Sequence, residues 1–367
     1  MTQIKGAFAI KLHELCNEKC SFCFQDNETR HKKFGFEDEK IFQIINYAFK
    51  QGYKIIYFTG GEPLIHKSII KFIKFSKKIG FEYIYIQTNG VLLSDYDFAK
   101  KCYDSGATMF HISLHHSDSK IHDELVNLPG AYDKVLKGIL NLQKLGAYLG
   151  IHIVLNKKNY KDISDIVKFI FGKGIINITI LFPIIQGSII KNYNEVGITY
   201  NEVIPYIKDT FSLYGNLTGK YLYVINIPPC LIKGYEKYII TGINSVLLEL
   251  NGKKIIYFDE KSTSNYYINH CSSCDYRKKC PGVDKAYLDI NGDEKFLDLV
   301  LSLENKNTNN VQDNNFVSFI PRSNFYNNYL SNLILSNQFS ISQNMPITGF
   351  DELNLFNKQN VYKEIFL

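Results

Sequence analysis

The sequence predicts an α/β protein: a curved, incomplete (β/α)6 barrel followed by a smaller cysteine-rich C-terminal domain. Three observations carry this expectation. Six short apolar runs alternate with stretches of helical apolar spacing across residues 6–182, the pattern of parallel β-α units with right-handed crossovers. Six units fall short of the eight that close a barrel. Seven of the eight cysteines stand in two groups, three near the N-terminus and four between residues 230 and 280.

The elements follow in order. Residues 6–12 (GAFAIKL) form a short apolar strand with a cysteine loop at its C-terminal end, the end where ligand sites of parallel sheets lie. Residues 36–49 place Ile41, Ile44, Ile45 and Ala48 on one helical face, and Gly52 stops the helix. Residues 55–58 (IIYF) are apolar throughout, as in a strand covered on both faces, and lead into Thr59-Gly60-Gly61-Glu62-Pro63-Leu64. Helices are expected over residues 67–79, 95–104, 132–145 and 163–171, and strands over 82–87, 109–114, 150–155 and 176–182. An irregular stretch, 186–200, leaves the barrel and is followed by a helix over 201–214 and a strand-like run over 221–227. Asn291-Gly292-Asp293 predicts a hairpin turn between residues 286–290 and the run after it. Past residue 303 the composition shifts to Asn, Ser and Gln, a polar linker and tail without a ligand-type cluster. The expected division is therefore 1–190, 191–303 and 304–367.

Composition narrows the function class. With 367 residues, 45% hydrophobic and 21% charged, the chain has material for about two folded domains. A net charge of +6 is mild and spread along the chain, so no nucleic-acid groove is expected. No apolar run reaches the roughly 18 residues of a membrane span, and no secretory leader is apparent. The expected location is the cytoplasm, where grouped cysteines serve as metal ligands rather than disulfides.

Cys16, Cys20 and Cys23 are spaced C-x-x-x-C-x-x-C, too tightly for helices or strands to hold apart, so they converge on one object. Thiolates select zinc, copper(I) or iron–sulfur clusters, and three local ligands leave a fourth position open for chemistry. Structural zinc sites pair their cysteines as C-x-x-C, a habit the three-residue gap departs from. Gly60 and Gly61 let the backbone approach a ligand closely, Glu62 offers a carboxylate to an ammonium group, and Pro63 stiffens the exit. In the second group Cys271, Cys274 and Cys280 stand as C-x-x-C-x5-C, and Cys230 follows two prolines. Four thiols complete one tetrahedral or cuboidal centre, an electron relay or a structural staple, and spacing alone suits a zinc ribbon as well. Thr88, Asn89, Ser113 and Asn156 are polar residues at strand ends, and each alone reads as a turn or cap. His115, His116 and His122 have the chemistry to move protons, although loop histidines are usually solvated. Cys102, without a cysteine neighbour, reads as an inert packed thiol.

The three-cysteine motif with Phe22 before its last cysteine, followed after the second strand by Gly60-Gly61-Glu62-Pro63, resembles the radical SAM superfamily. The resemblance covers roughly residues 6–300 and implies the same partial barrel. It implies a [4Fe–4S] cluster on Cys16, Cys20 and Cys23, with Phe22 as the motif's aromatic residue. S-adenosylmethionine would chelate the open iron through its amino and carboxylate groups. Residues 60–63 would hold the amino group, Thr88, Asn89, Ser113 and Asn156 would contact ribose and carboxylate, and Phe182 would pack on adenine. One electron, from a donor such as flavodoxin or ferredoxin, would then split the sulfonium bond and release a 5′-deoxyadenosyl radical that takes hydrogen from a substrate. The second cysteine group resembles the SPASM and twitch extensions that carry auxiliary [4Fe–4S] clusters. The fuller SPASM pattern would place a cysteine at position 284; the chain has Asp284, which implies one auxiliary cluster. Such members often modify ribosomally made peptides, so peptide maturation is the expected activity. A dehydrogenase or mutase of a sugar, nucleoside or cofactor precursor is the alternative, since no winged-helix peptide-recognition module is apparent before the barrel. A zinc-binding scaffold without activity is the third reading. No catalytic acid, base or radical relay is assigned.

Overall fold

The computed structural model describes residues 7–27, 37–216, 221–240, 245–251, 254–258, 265–278 and 280–304. The polar stretch and tail expected after residue 303 lie almost wholly outside them.

Seven parallel strands pair in chain order: β1 (Ala7–Lys11), β2 (Ile55–Thr59), β3 (Tyr83–Thr88), β4 (Met109–Ser113), β5 (Tyr148–Val154), β6 (Asn177–Leu181) and β7 (Leu222–Ile225). On the other side of β1 lie β8 (Ser245–Asn251), parallel to it, and β9 (Lys254–Phe258), antiparallel to β8. The sheet curls as a half-barrel, with helices on its outside. Those helices are α1 (Asp38–Lys50), α2 (Ile69–Ile79), α3 (Tyr96–Ser105), α4 (Ser119–Val126), α5 (Ala131–Leu145) and α6 (Ile163–Gly172).

Alternation along the strands decides the layering, because successive side chains point to opposite faces. Ile56, Phe58, Ile84, Ile86, Phe110, Ile112, Ile151, Ile153, Ile178 and Ile180 are all buried in the apolar core. Most of their neighbours on the opposite, concave face are polar or aromatic, among them Tyr57, Tyr85, Gln87, His111, Ser113, His152, Asn177 and Thr179. Burial of the first set against the helices stabilises the fold by roughly 25 cal/mol for each Å² of apolar surface removed from water. The second set is left to line the interior.

Several expectations change in the structure. The run over 221–227 is not separate from the barrel but its seventh strand, paired with β6. The stretch 186–200 contains two one-turn helices, α7 (Ser188–Lys191) and α8 (Tyr193–Val196), ahead of α9 (Tyr200–Tyr214). The expected hairpin at 291–293 is a helix–helix joint instead: α10 (Lys285–Asn291) and α11 (Asp293–Glu304) flank Gly292, which has φ +89°. Asn-Gly serves a helix C-terminus as readily as a hairpin, and Tyr287, Leu288, Phe296 and Val300 bury one face of each helix, which decides between them. Cys102 is fully buried in the core, as an inert thiol should be, and burial pushes it up to about 12.

Candidate active site

The C-terminal ends of β1, β2 and β3 meet at the first cysteine group. From β1 the chain runs through His13 to Leu15 into the loop holding Cys16, Cys20 and Cys23, all three partly exposed. Gly61 N–H donates to His13 O (2.8 Å) and Glu62 N–H to Leu15 O (2.8 Å). This contact requires glycine: a Cβ at position 61 would stand 2.1 Å from Leu15 O, and one at position 60 would stand 2.4 Å from His13 O. The two glycines thus bring the β2 loop against the backbone that leads into Cys16.

Glu62 is fully buried, and its carboxylate accepts from Leu64 N (2.9 Å), Thr88 Oγ1 (2.8 Å) and Asn89 N (2.7 Å). Burial pushes its pKa up to about 7 against the pull of these donors. Pro63 opens the 3-10 turn that follows. Asn89 extends the chain of contacts: its amide donates to Asn17 Oδ1 (2.8 Å) and reaches Cys16 Sγ (3.9 Å). Two backbone N–H groups also point at sulfur, Glu18 N to Cys16 Sγ (3.5 Å) and Gln25 N to Cys23 Sγ (3.4 Å). Donors aimed at sulfur favour the thiolate over the thiol, so this loop suits a cluster that takes thiolate ligands.

Elements left unassigned in the sequence hold the loop from outside. Lys19 N and Ser21 N bond to Val126 O and Leu125 O at the end of α4 (3.0 Å each). Past Cys23, Ile189 N of α7 donates to Cys23 O (3.3 Å), and Ser188 donates to Gln25 O from N (3.2 Å) and from Oγ (3.0 Å). Phe22 is buried, its ring edge-on to His115 (4.6 Å). Contrary to the solvated-loop expectation, His115, His116 and His122 are all buried. Burial first, and then neighbouring histidines, holds His115 well below its ordinary value; burial likewise brings His122 to about 4.

The remaining strand-end residues are distributed differently. Ser113 stays half-buried on the inner face. Asn156 spends its side chain on its own turn, donating to Val154 O (3.1 Å) and accepting from Lys158 N (3.0 Å). Phe182 is buried and stacks on Tyr200 (4.1 Å), which in turn meets Tyr287 (4.6 Å), joining the end of β6 to α9 and α10.

Cys230, Cys271, Cys274 and Cys280 line one pocket, backed by Phe296 and Val300. Cys230 sits just past β7, at the same end of the sheet as the first group. Burial pushes the thiols of Cys230, Cys271 and Cys280 up, the last to about 11, and the neighbouring thiols raise each further. Four thiols around one pocket are the donor set that zinc or an iron–sulfur cluster takes, and a coordinated metal removes the thiol proton outright. Among the described residues no three His, Cys, Asp or Glu are arranged to hold a single metal ion. Asp284 does not line this pocket; its carboxylate caps α10 at Ala286 N (2.9 Å) and accepts from Ile185 N (3.0 Å).

Residues 10–170 match the family model of the radical SAM superfamily. The chain carries a radical SAM domain. Among relatives of this chain, a probable GTP 3′,8-cyclase of Sulfurisphaera tokodaii is 27% identical over 248 residues, covering 66% of this chain and 78% of that protein. The Fe-coproporphyrin III synthase of Methanosarcina barkeri is 29% identical over 184 residues, covering 49% of this chain and 44% of that protein. Among solved structures, anSMEcpe with bound AdoMet and a Cp18Cys peptide superposes with a TM-score of 0.56 at 17% identity, covering 82% of this chain and 99% of that one. Streptococcus suis SuiB bound to precursor peptide SuiA gives 0.53 at 17% identity, covering 78% and 73%. Those likenesses establish the shared fold. The radical SAM family implies a [4Fe–4S] cluster and S-adenosylmethionine. No helix among the described residues is long and apolar enough to cross a membrane.

Proposed function

We propose that this radical SAM enzyme uses two iron–sulfur centres to modify a peptide. The observation that carries the reading is the gathering of Cys230, Cys271, Cys274 and Cys280 at the same end of the sheet as the three-cysteine loop. Cys16, Cys20 and Cys23 would hold the first centre, whose chemistry when bound would be the one-electron reductive cleavage of S-adenosylmethionine. The backbone of Gly60 and Gly61, with Thr88, Asn89 and Ser113, surrounds the cosubstrate's polar groups, while Glu62 braces the Thr88 and Asn89 loop. Asn156 and Phe182 shape the wall behind it. Cys230, Cys271, Cys274 and Cys280 would supply all four ligands of a second centre, which would then serve as an electron relay rather than a substrate site.

The electrostatics of the interior favour a neutral substrate over a nucleoside triphosphate. Triphosphates are recognised by clustered Arg and Lys. The chain has only three arginines, Arg30, Arg277 and Arg322. Among the described residues the concave face of β1–β7 carries a single cation, Lys11, bonded to Glu14 (3.1 Å). Two peptide-bound neighbours of the same fold point the same way, whereas the GTP cyclases among the relatives favour a nucleotide.

The test uses anaerobically reconstituted protein. Cys16→Ala abolishes reductant-dependent 5′-deoxyadenosine, and Cys274→Ala lowers iron by one cluster while the first centre's iron stays. Zinc in place of iron and sulfide would refute the two-cluster reading. GTP added with S-adenosylmethionine is recovered unchanged, and a short Cys-, Ser- or Gly-rich peptide encoded beside the gene changes mass on co-expression. Conversion of GTP would overturn the peptide assignment.

A further inference from the structure

Across the concave face runs a row of rings, Tyr57 to Tyr85 (4.4 Å), Tyr85 to His111 (4.8 Å) and His111 to His152 (4.5 Å). At its end four side chains form a hydrogen-bonded group, in which Tyr148 Oη lies 3.1 Å from Asn177 Nδ2. Asn177 Nδ2 lies 3.0 Å from His111 Nε2, and His111 Nδ1 lies 2.7 Å from His152 Nε2. Gly150 makes this possible. It stands between His111 and Asn177 in the strand register, and a Cβ there would be 2.2 Å from the His111 ring and 2.9 Å from Asn177 Nδ2.

The outer ends of the chain, His152 Nδ1 and Asn177 Oδ1, are buried without a hydrogen-bond partner. His111 and Asn177 are 2% and 3% exposed. Burial holds both histidines far below their ordinary value, His152 at about 4, so each ring is neutral at pH 7 and carries one proton. With Asn177 donating to His111, His111 must donate to His152, and His152 Nδ1 keeps an N–H. The free ends are then one donor, His152 Nδ1–H, and one acceptor, Asn177 Oδ1. Turning the amide over reverses every bond and exchanges these roles. Either arrangement leaves one donor and one acceptor.

We infer that His152 and Asn177, spanned by His111, anchor a neutral carboxamide or peptide group of the substrate on the barrel floor. This rests on the peptide reading and sharpens it. A carboxamide supplies both an acceptor and a donor. A carboxylate or phosphate supplies acceptors alone, would leave the acceptor end unpaired, and would bring charge against a neutral wall. The half-buried residues nearer the mouth on β3 to β6, Gln87, Ser113, Val154 and Leu181, are uncharged, and the one cation of this face among the described residues, Lys11, is paired with Glu14.

The experiment is 15N NMR of the oxidised holoprotein labelled at histidine, titrated with acetamide, acetate or phosphate. Acetamide shifts the His152 ring nitrogens and acetate and phosphate do not. In Asn177→Leu and His152→Phe the acetamide affinity falls at least about tenfold, the loss of one buried hydrogen bond, while His152→Gln, which retains a donor and an acceptor, restores binding. Circular dichroism of each variant confirms that it is folded. An equal response to acetate, or no response because ordered water alone fills the site, would overturn the inference. Release of 5′-deoxyadenosine by the same wild-type sample tests the enzymatic reading separately: its loss refutes that reading, whereas its persistence without an acetamide response refutes only this site.

Discussion

At Gly61 a single methyl group would collide with the carbonyl of Leu15, one residue before the first cysteine. The obstacle is backbone rather than the end of a flexible side chain, so the loop must move to accommodate it. Gly61→Ala is therefore expected to lower S-adenosylmethionine cleavage at least about tenfold, because a displacement near 1 Å at a reacting centre costs on the order of a hundredfold. Iron content and 5′-deoxyadenosine release, measured together, separate a lost cluster from a misplaced cosubstrate. The motif is plain in the sequence, but its reason is not: Glu62 reads as a ligand for an ammonium group, whereas the fold turns it inward to bind Leu64, Thr88 and Asn89. Likewise, nothing in the spacing of His111, His152 and Asn177 announces that three strands bring them together.

Among the elements, α10 shows how one side chain can fix a helix. Asp284 caps it at Ala286 N and ties it to the backbone after β6. Asp284→Ala should cost about 1–2 kcal/mol, in the range of lost N-caps, and expose residues 285–304 to protease. Asp284→Asn should recover most of the loss, since it keeps an acceptor for Ala286 N. Urea unfolding and limited proteolysis of the two variants make the comparison. The same region is where periodicity misled: Asn-Gly-Asp suits a hairpin locally, and only the burial of Tyr287 and Leu288 on α10 and of Phe296 and Val300 on α11 selects helix. The short α7 and α8 carry no periodic signal because one turn is too brief to show one, and they are defined by bonds to the cysteine loop.

For the molecule as a whole, buried neutral histidines set the response to acid. His13, His122 and His152 are held at about 4, and His111 and His115 well below 6.5, in each case chiefly by burial. Below pH 6.5 the unfolded chain takes up protons that the folded chain refuses, so stability present above 6.5 is lost as pH falls toward 4. Each of the three held at about 4 costs about 2 kcal/mol by pH 5, a large share of the stability of an ordinary domain when taken together, and His111 and His115 act in the same direction. The urea midpoint should therefore be flat from pH 8 to 7 and drop steeply between 6.5 and 5. A midpoint unchanged at pH 5 would mean that these rings gain water and charge without unfolding.

The sequence by itself determined the β-α alternation, the open barrel and the two cysteine groups, because strand and helix periods and metal-ligand spacings are local properties of the chain. The tertiary structure decided what those elements enclose. The seventh strand, the α4 and α7 clamps on the cysteine loop, the inward turn of Glu62 and the His111–His152–Asn177 chain all depend on contacts between residues dozens of positions apart. Such contacts form only when strand register sets distant side chains on one face, a condition that no short window of sequence contains.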